Sequence, residues 1–561
     1  MYWFHTLKDS HGKLTRLQQP VMAKYRKRKV FKGFQSKCYN IFMFDSACKN
    51  LLVRGVNWIG DSVMTLPALK ALKSALPDTR ITLLVKPWVA AVFKNNPDID
   101  EIISYENTHN GLWGKMKLAS LLRRKHFCGS ILLQNAFDAA LIAFLAGIKK
   151  RVGYNRDGRG FLLTRAVPLP ENEHHAHQIY YYLNLLEQSG MKAGYSVPYI
   201  HLTLNERMRA RELLKSLRKP VLAINPGATY GSAKRWFPER FAEVATWFIG
   251  DTGGSVVLFG GNSEIDITDE IYKKVIPEVR TSGALLNMAG KTSLRDLIAL
   301  ISDCDAIVTN DSGPMHLAYA VRTPLVAIFG STNPLTTGPP PEGFADESVV
   351  ITPNVPCSPC FDRTCSRNDM LCMHAVTSDE VFYAVKKLLP DSPAVFFDRD
   401  GTLCRDTGYI NSWEDFRIFP EIEHLRLLRG KGFKLIGVSN QSGIARGIVD
   451  ETFVKDANSI FLAQYGFDDF YYCPHHPSDH CACRKPEPEM LFRARARHRI
   501  DLRRSFMVGD KEADMLLAKA AGALGILVQT GETKESPHAD FIVKDLGEAV
   551  RVILEHRGIS E

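Results

Sequence analysis

Two acidic motifs in the last third of the chain carry side chains able to do chemistry on phosphorus. The first is Phe397-Asp398-Arg399-Asp400-Gly401-Thr402, and the second is Gly509-Asp510-Lys511-Glu512-Ala513-Asp514. Apolar runs precede both, Ala394-Val395-Phe396-Phe397 and Ser505-Phe506-Met507-Val508. Each run reads as a parallel strand, and open α/β sheets place their sites beyond the carboxyl ends of such strands. Asp398 and Asp400, joined by Asp510 from a neighbouring strand, make a hard-oxygen cage for Mg2+. One carboxylate of such a set can also attack phosphorus and form an aspartyl-phosphate. Asp-Gly alone is only a turn dipeptide. Here two more segments follow in a useful order. Val438-Ser439-Asn440-Gln441-Ser442-Gly443 follows a third strand, Lys434 to Gly437, and Cys483-Arg484-Lys485-Pro486 precedes a helix. A hydroxyl at a strand end and a lysine hold the remaining phosphate oxygens of a metal-assisted phosphoryl site.

This order of motifs resembles the haloacid dehalogenase (HAD) superfamily of phosphatases over about residues 391–561. Asp406-Thr407-Gly408-Tyr409-Ile410, Asn440 to Gly447 and Tyr472-Cys473-Pro474-His475-His476-Pro477 resemble the heptose 1,7-bisphosphate phosphatases within it. The resemblance implies Asp398 as nucleophile and Asp400 as the acid/base that protonates the leaving sugar oxygen and then activates water. It implies Ser439 and Lys485 gripping phosphate, with Asn440 beside them. Mg2+ would sit on Asp398, the Asp400 carbonyl and Asp510. Arg484 and Lys511 would contact the second phosphate or the sugar. The histidinol-phosphate phosphatases share the Cys/His loop and are the alternative reading.

That loop holds Cys473 and His475, then Cys481 and Cys483, within eleven residues. Three thiolates and an imidazole suffice for a closed tetrahedral zinc site. With no ligand position left open, the zinc is expected to be structural. His476 and His480 lie in the same loop as decoys. A disulfide is the competing reading, disfavoured by the lack of a signal peptide. The chain's 12 cysteines are accordingly read as reduced thiols and metal ligands.

A chain of 561 residues holds several domains, and 45% hydrophobic with 24% charged residues is ordinary globular composition. No run of 18 apolar residues appears, so no membrane span is expected. The net charge of +10 is concentrated in residues 1–40, where ten Lys/Arg meet only Asp9. The remaining chain is nearly neutral, which implies no nucleic-acid surface. The basic arm, dotted with Tyr25, Phe31, Phe34 and Tyr39, suits an anionic membrane surface. It reads equally as a tail, or as sequence upstream of a start at Met22. It lacks the apolar core of a signal peptide. A cytoplasmic enzyme, peripheral on the inner face of the membrane, is the expected placement.

Residues 49–390 show two α/β halves. The first opens with a strand, Asn50 to Arg54, then Gly55-Val56-Asn57-Trp58-Ile59-Gly60-Asp61 and a helix periodic in Val63, Leu66, Leu69 and Leu72. Strands at Ile81–Val85 and Ser130–Gln134 follow. The second half restarts at Val221–Asn225, with Pro226 to Trp236 after it and strands at Val256–Gly260, Ala306–Thr309 and Leu325–Phe329. Alternating β and α segments imply parallel sheets, with a ligand cleft between the halves. Pro226 to Ser232 offers exposed amides for a diphosphate, and Lys234 adds a charge. Asn310-Asp311-Ser312-Gly313-Pro314-Met315-His316 makes a second anion or sugar site. Asp61 faces the cleft from the other half, where a carboxylate can deprotonate an acceptor hydroxyl. The spacing GxGxxG is absent from all three segments, which argues against a dinucleotide dehydrogenase.

Asn57 to Asp61, Pro226-Gly227-Ala228 with Ala233-Lys234-Arg235-Trp236, and Asp311 to His316 resemble the lipopolysaccharide heptosyltransferases, a two-Rossmann (GT-B) family. The resemblance implies Asp61 as general base and Lys234 with Thr229 on the donor phosphates. Asp311, Ser312, Gly313 and His316 would line the donor-sugar pocket. Tyr230 stands where some relatives carry a hydroxyl residue. The family is inverting and metal-free.

Cys357, Cys360, Cys365 and Cys372 form another cluster, open to zinc, to an iron–sulfur cluster or to free thiols. His174, His175 and His177 read as solvated loop residues. The expected organisation is α/β throughout: a basic extension (1–48), an acceptor-side half (49–210), a donor-side half (211–390) and a HAD-like domain with a zinc loop (391–561). The combined expectation is a bifunctional enzyme of bacterial heptose metabolism. One half transfers heptose from ADP-heptose to a lipid A–core acceptor, and the other removes the 7-phosphate of heptose 1,7-bisphosphate. The alternative for the N-terminal half is a core-binding module without transfer activity.

Overall fold

The computed structural model describes residue 44, residues 47–170 and residues 176–558. The basic arm of residues 1–40, with His174 and His175, lies outside the described residues. Three six-stranded sheets organise the rest. The first holds β1 (Asn50–Arg54), β2 (Arg80–Val85), β3 (Glu101–Ser104), β4 (Gly129–Leu132), β5 (Lys150–Tyr154) and β6 (Arg165–Val167). The second holds β7 (Val221–Asn225), β8 (Ser255–Leu258), β9 (Leu285–Asn287), β10 (Ala306–Asn310), β11 (Leu325–Ile328) and β12 (Ser348–Ile351). The third holds β13 (Ala394–Phe397), β14 (Lys434–Asn440), β15 (Asp469–Cys473), β16 (Phe506–Gly509), β17 (Leu524–Val528) and β18 (Phe541–Val543).

Strand pairing is parallel throughout, for instance Leu51 with Ile81, Ile307 with Ala223 and Phe396 with Met507. Strands covered on both faces need apolar side chains in both directions, hence uninterrupted runs such as Val221-Leu222-Ala223-Ile224, all fully buried. Each such Leu, Ile or Val contributes about 1.5–3 kcal/mol by leaving water.

The sheet orders are β3-β2-β1-β4-β5-β6, β12-β11-β10-β7-β8-β9 and β15-β14-β13-β16-β17-β18. All three share one topology, in which the direction of winding reverses between two central strands. The reversal falls at β1/β4, β10/β7 and β13/β16. Loops leaving two neighbouring strands there diverge to opposite faces and open a crevice at the carboxyl edge. The acidic and glycine-bearing motifs singled out in the sequence leave β1, β7, β10, β13 and β16, and the Ser439 motif ends β14 beside β13.

The third sheet's domain packs against the transferase-like halves through ion pairs and hydrogen bonds, the Arg322–Glu489 pair among them buried. Arg322 Nη2 donates to Glu489 Oε1 at 2.7 Å and its Nη1 to Glu347 Oε1 at 3.0 Å. Arg503 reaches Asp303 at 2.8 Å, and Arg211 donates to the Ala520 carbonyl at 2.6 Å. One cysteine expectation is overturned. Cys48 and Cys128 form a disulfide, with Cα atoms 5.4 Å apart. They stand just before β1 and β4, neighbouring strands that pair Leu51 with Gly129.

Candidate active sites

In the third sheet, Asp398 follows β13 and Asp510 follows β16, with Ser439 near the end of β14. Asp398, Asp510 and Asp514 bring carboxylate oxygens within 4.8 Å of one another. All three are buried. Lys485 is buried with them and bridges Asp398 and Asp514, 2.7 Å from each. Burial pushes the Asp398 carboxyl well up, and Lys485 opposes that shift. Asp510 Oδ1 is buried without a partner, while its Oδ2 accepts from the Glu532 amide. An orphaned carboxylate oxygen inside a three-acid cluster fits a hard cation. Gly401 allows the approach: its φ is +93°, and a Cβ there would lie 2.4 Å from Asp510 Oδ2.

Asp400 has a separate environment. Its carboxylate accepts from Arg399 Nε at 2.7 Å and Nη2 at 3.1 Å, and from Gln441 Nε2 at 2.7 Å. Burial works against the charged form, but Arg399 and these hydrogen bonds outweigh it and hold the group below the usual range. Gln441 also donates to Ser439 Oγ at 2.8 Å, tying the acid/base candidate to the hydroxyl expected on phosphate. Asn440, expected on the substrate, instead exchanges hydrogen bonds with the Lys485 backbone at 3.0 and 3.3 Å. It fixes the lysine loop. Lys511 pairs with Asp406 at 2.9 Å. Arg484 is half-buried, with Nη1 unpartnered.

The Cys/His loop converges. The Sγ atoms of Cys473 and Cys483 lie 3.4 and 3.6 Å from Cys481 Sγ, and 3.6 and 3.3 Å from His475 Nδ1. A tetrahedron with metal–sulfur bonds of about 2.3 Å has edges of roughly 3.5–3.8 Å, so these four atoms fit zinc. His476 turns away to cap the turn Pro477–Asp479.

In the transferase-like halves, the loops after β7 and β10 meet at the reversal point of the second sheet. Asn310 Nδ2 donates to the Pro226 carbonyl at 2.7 Å, and the Trp236 amide donates to Asn310 Oδ1 at 3.1 Å. This strut sets Lys234 against Asp311, 2.5 Å apart. Thr332, after β11, donates to the same Asp311 oxygen at 2.6 Å. Ser312 Oγ lies 3.2 Å from Thr309 Oγ1, and Thr229 stands exposed on its loop. From the first sheet, the helix Ile59–Met64 abuts Gly313–Ala320. A Cβ on Gly60 would sit 2.7 Å from His316 Cδ2, and one on Gly313 would sit 3.1 Å from Ile59 Cβ. Glycine at both contacts lets the helix starts carrying Asp61 and His316 close on each other. Burial lifts Asp61 to about 6 against the pull of Lys234. Burial depresses His316 to about 4, so its ring is neutral at pH 7 and shares a 2.9 Å hydrogen bond with Tyr319.

The profile of glycosyltransferase family 9 (heptosyltransferase) matches residues 115–371, and a HAD-hydrolase-like profile matches residues 482–549. Lipopolysaccharide heptosyltransferase 2 of Escherichia coli is 32% identical over 299 residues, 52% of this chain and 85% of the relative. The chain belongs to the family 9 glycosyltransferases. A HAD-like hydrolase is fused to that glycosyltransferase. The D-glycero-beta-D-manno-heptose-1,7-bisphosphate 7-phosphatase of Helicobacter pylori is 38% identical over 173 residues, 29% of this chain and 98% of the relative. The solved structure of E. coli ADP-heptose LPS heptosyltransferase II superposes with a TM-score of 0.52 at 27% identity, covering 60% of this chain and 98% of its own. The GT-B and HAD-like fold classes expected from the sequence hold, as do the two enzyme classes.

Sequence reasoning missed three residues of these sites. Asp514 had a signal: it lies four positions after Asp510, one helical turn on. Arg399 and Thr332 had none, because their partners are set by side-chain direction and by a strand crossover.

Proposed function

We propose that the family 9 half transfers heptose from ADP-heptose to a lipid A–core acceptor, and that the HAD-like half hydrolyses the 7-phosphate of D-glycero-D-manno-heptose 1,7-bisphosphate. The observation that carries the reading is the placement of both charge sets at winding-reversal points. Lys234/Asp311 faces Asp61 in one cleft, and Asp398/Asp510/Asp514 with Lys485 lines the other. In the transferase, Asp61 takes the proton of the acceptor hydroxyl as that oxygen attacks the anomeric carbon. The bond to the ADP oxygen breaks, and Lys234 with the amides of its loop meets the charge that develops on the diphosphate.

In the phosphatase, an Asp398 oxygen attacks phosphorus, with Lys485 and Ser439 holding the other phosphate oxygens. Turned away from Arg399, Asp400 takes up a proton from solvent and gives it to the departing sugar oxygen; it then takes a proton from the water that opens the aspartyl-phosphate and returns it to solvent. Asp398 and Asp510, with the Asp400 carbonyl and Asp514 at hand, would hold Mg2+, which supplies charge neutralisation at the phosphate. Arg484 and Lys511 are left for the second phosphate or the sugar. Cys473, His475, Cys481 and Cys483 would hold a structural zinc that pins the substrate loop.

No helix among the described residues is long and apolar enough to cross a membrane. The lipid-linked acceptor therefore meets the protein at a membrane surface in this reading.

The test uses the full chain. Each bisphosphate anomer should yield inorganic phosphate, and ADP-heptose with core acceptor should yield ADP. Asp398→Asn should abolish the first activity and spare the second, and Asp61→Ala should do the reverse. Faster hydrolysis of histidinol phosphate than of either anomer would replace the phosphatase reading. Donor and core lipid bound without transfer would make the N-terminal half a binding module.

A further inference from the structure

Between β12 and the helix Leu371–Ala375, residues 352–370 form neither strand nor helix. Most of this segment is exposed or half-exposed. Three of its non-glycine residues, Phe361, Asn368 and Met370, have φ of +62°, +57° and +46°. A structureless loop longer than about 12–15 residues is uncommon inside a compact domain and is usually functional. This one has little apolar surface to offset the entropy of ordering it.

The segment is nonetheless seated on the loops after β7 and β11. The Phe361 amide donates to the Ser331 carbonyl at 2.6 Å, and Ser358 Oγ to the Gly330 carbonyl at 2.7 Å. The Ala233 amide donates to the Arg363 carbonyl at 3.0 Å, and the Tyr230 hydroxyl to the Phe361 carbonyl at 3.2 Å. A Cβ on Gly231 would meet the Arg363 carbonyl oxygen at 2.1 Å, so the two backbones touch. The Arg363 guanidinium lies 5.0 Å from the Tyr230 ring centre. The segment thus forms a wall behind the loop carrying Lys234.

Its internal cross-linking chemistry is four thiols. Cys357, Cys360, Cys365 and Cys372 are all free, the last of them buried. Gly330 brings the two ends of the segment together: its carbonyl accepts from Ser358, next to Cys357, and a Cβ on it would lie 3.2 Å from Cys372 Sγ. Two, four and six residues separate the cysteines in turn. Among the described residues, no three of these sulfurs stand within 4.8 Å of one another as the Cys473 set does. The backbone between them is irregular, so closing on an ion would break no ladder or helix.

We propose that Cys357, Cys360, Cys365 and Cys372 are the ligands of a thiolate-bound divalent metal, zinc or ferrous iron, which fixes this segment as the outer wall of the donor-phosphate loop. Each thiol gives its proton to solvent on binding, and the four sulfurs close a tetrahedral site with no open position. The ion replaces the missing hydrophobic core of the segment. The metal site stands without the functional reading above. Its effect on the donor rests on that reading.

The experiment is metal analysis of the full chain purified without chelator, for wild type, Cys365→Ser, Cys372→Ser and Cys481→Ser. The expected wild-type content is about two thiolate-bound ions per chain, with about one lost in each variant. Elemental analysis and the visible charge-transfer bands of iron separate the two metals. Titration with ADP should give about tenfold weaker binding in Cys365→Ser, which corresponds to about 1.4 kcal/mol. Phosphatase activity at the wild-type level in the same sample controls for folding. Wild-type metal content in both Cys365→Ser and Cys372→Ser overturns the site, as does a disulfide among the four cysteines in the native protein. Loss of the ion with unchanged ADP binding overturns the wall, and leaves the reading of the transferase cleft to its own test.

Discussion

Replacing Glu489 with glutamine removes one charge from the triad that docks the phosphatase domain on the transferase. Arg322, Glu347 and Glu489 are 1%, 3% and 7% exposed, so water cannot take over a lost partner. Removing one member of a buried pair costs about 3–5 kcal/mol. Glu347 stays 3.0 Å from Arg322 Nη1, which places the change near the lower end, about 3 kcal/mol. For a domain of this size that lowers the melting temperature by about 6–12 °C. The assay is differential scanning calorimetry of the full chain with limited proteolysis of the segment before β13. The transition of the C-terminal domain should move and cleavage should quicken. Glu555→Gln is the control, since its pair with Arg551 is exposed and worth at most about 1 kcal/mol. Replacing Arg322, Glu347 and Glu489 together by Met, Leu and Met should be neutral or stabilising. The triad also carries a pH dependence. Burial lifts Glu347 to about 7, against Arg322 and Arg495. A carboxyl raised in the folded state contributes stability in full below its unfolded value of about 4.3, and that stability is lost as pH rises through about 7. Docking should therefore weaken from pH 5 to pH 8, and Glu347→Gln should flatten the slope. A Glu489→Gln protein that melts and cleaves like wild type would refute the reasoning.

Transfer should follow the ionisation of Asp61: as a base with its pKa lifted to about 6, it should lose kcat/KM about tenfold per unit below pH 6. The phosphatase assay on the same protein gives the comparison, and Lys234→Ala should instead weaken ADP binding across the whole range. Protein carrying Cys481→Ser should lose the zinc proposed at Cys473, His475, Cys481 and Cys483, and metal retained after that change would remove those residues from a metal site.

Sequence reasoning located strands best where burial on both faces left one pattern possible. The runs at Asn50–Arg54, Val221–Asn225 and Ala394–Phe397 have the observed bounds. Lys434–Gly437 was too short, because the strand continues through polar Ser439 and Asn440, which still pair with Tyr472 and Cys473 of β15. Hydropathy stops where the site begins, but the ladder does not. The Cys48–Cys128 disulfide, spanning 80 residues, joins the approaches to two strands that become neighbours only in the folded sheet, which composition could not supply.

The site residues divide along the same line. Asp61, Asp311, Asp398 and Asp510 were legible because each follows an apolar run, and a charged side chain in that place has no packing reason to be there. Arg399 and Thr332 were not, because they act on neighbouring acids from the side, and Asp514 shows only in its spacing from Asp510. Arg399 is adjacent in sequence to the group it holds, yet only the turn around Gly401 folds its guanidinium back onto Asp400. Asn440 shows the converse: it lies in the motif, but its side chain is spent on the Lys485 backbone. A strand-tip motif names the place where chemistry occurs. Which of its members touch substrate and which hold the others in position is decided by contacts such as Gln441 to Asp400, across 41 residues. The same applies to Arg322 and Glu489, 167 residues apart, whose contact makes the fused enzymes a single packed body.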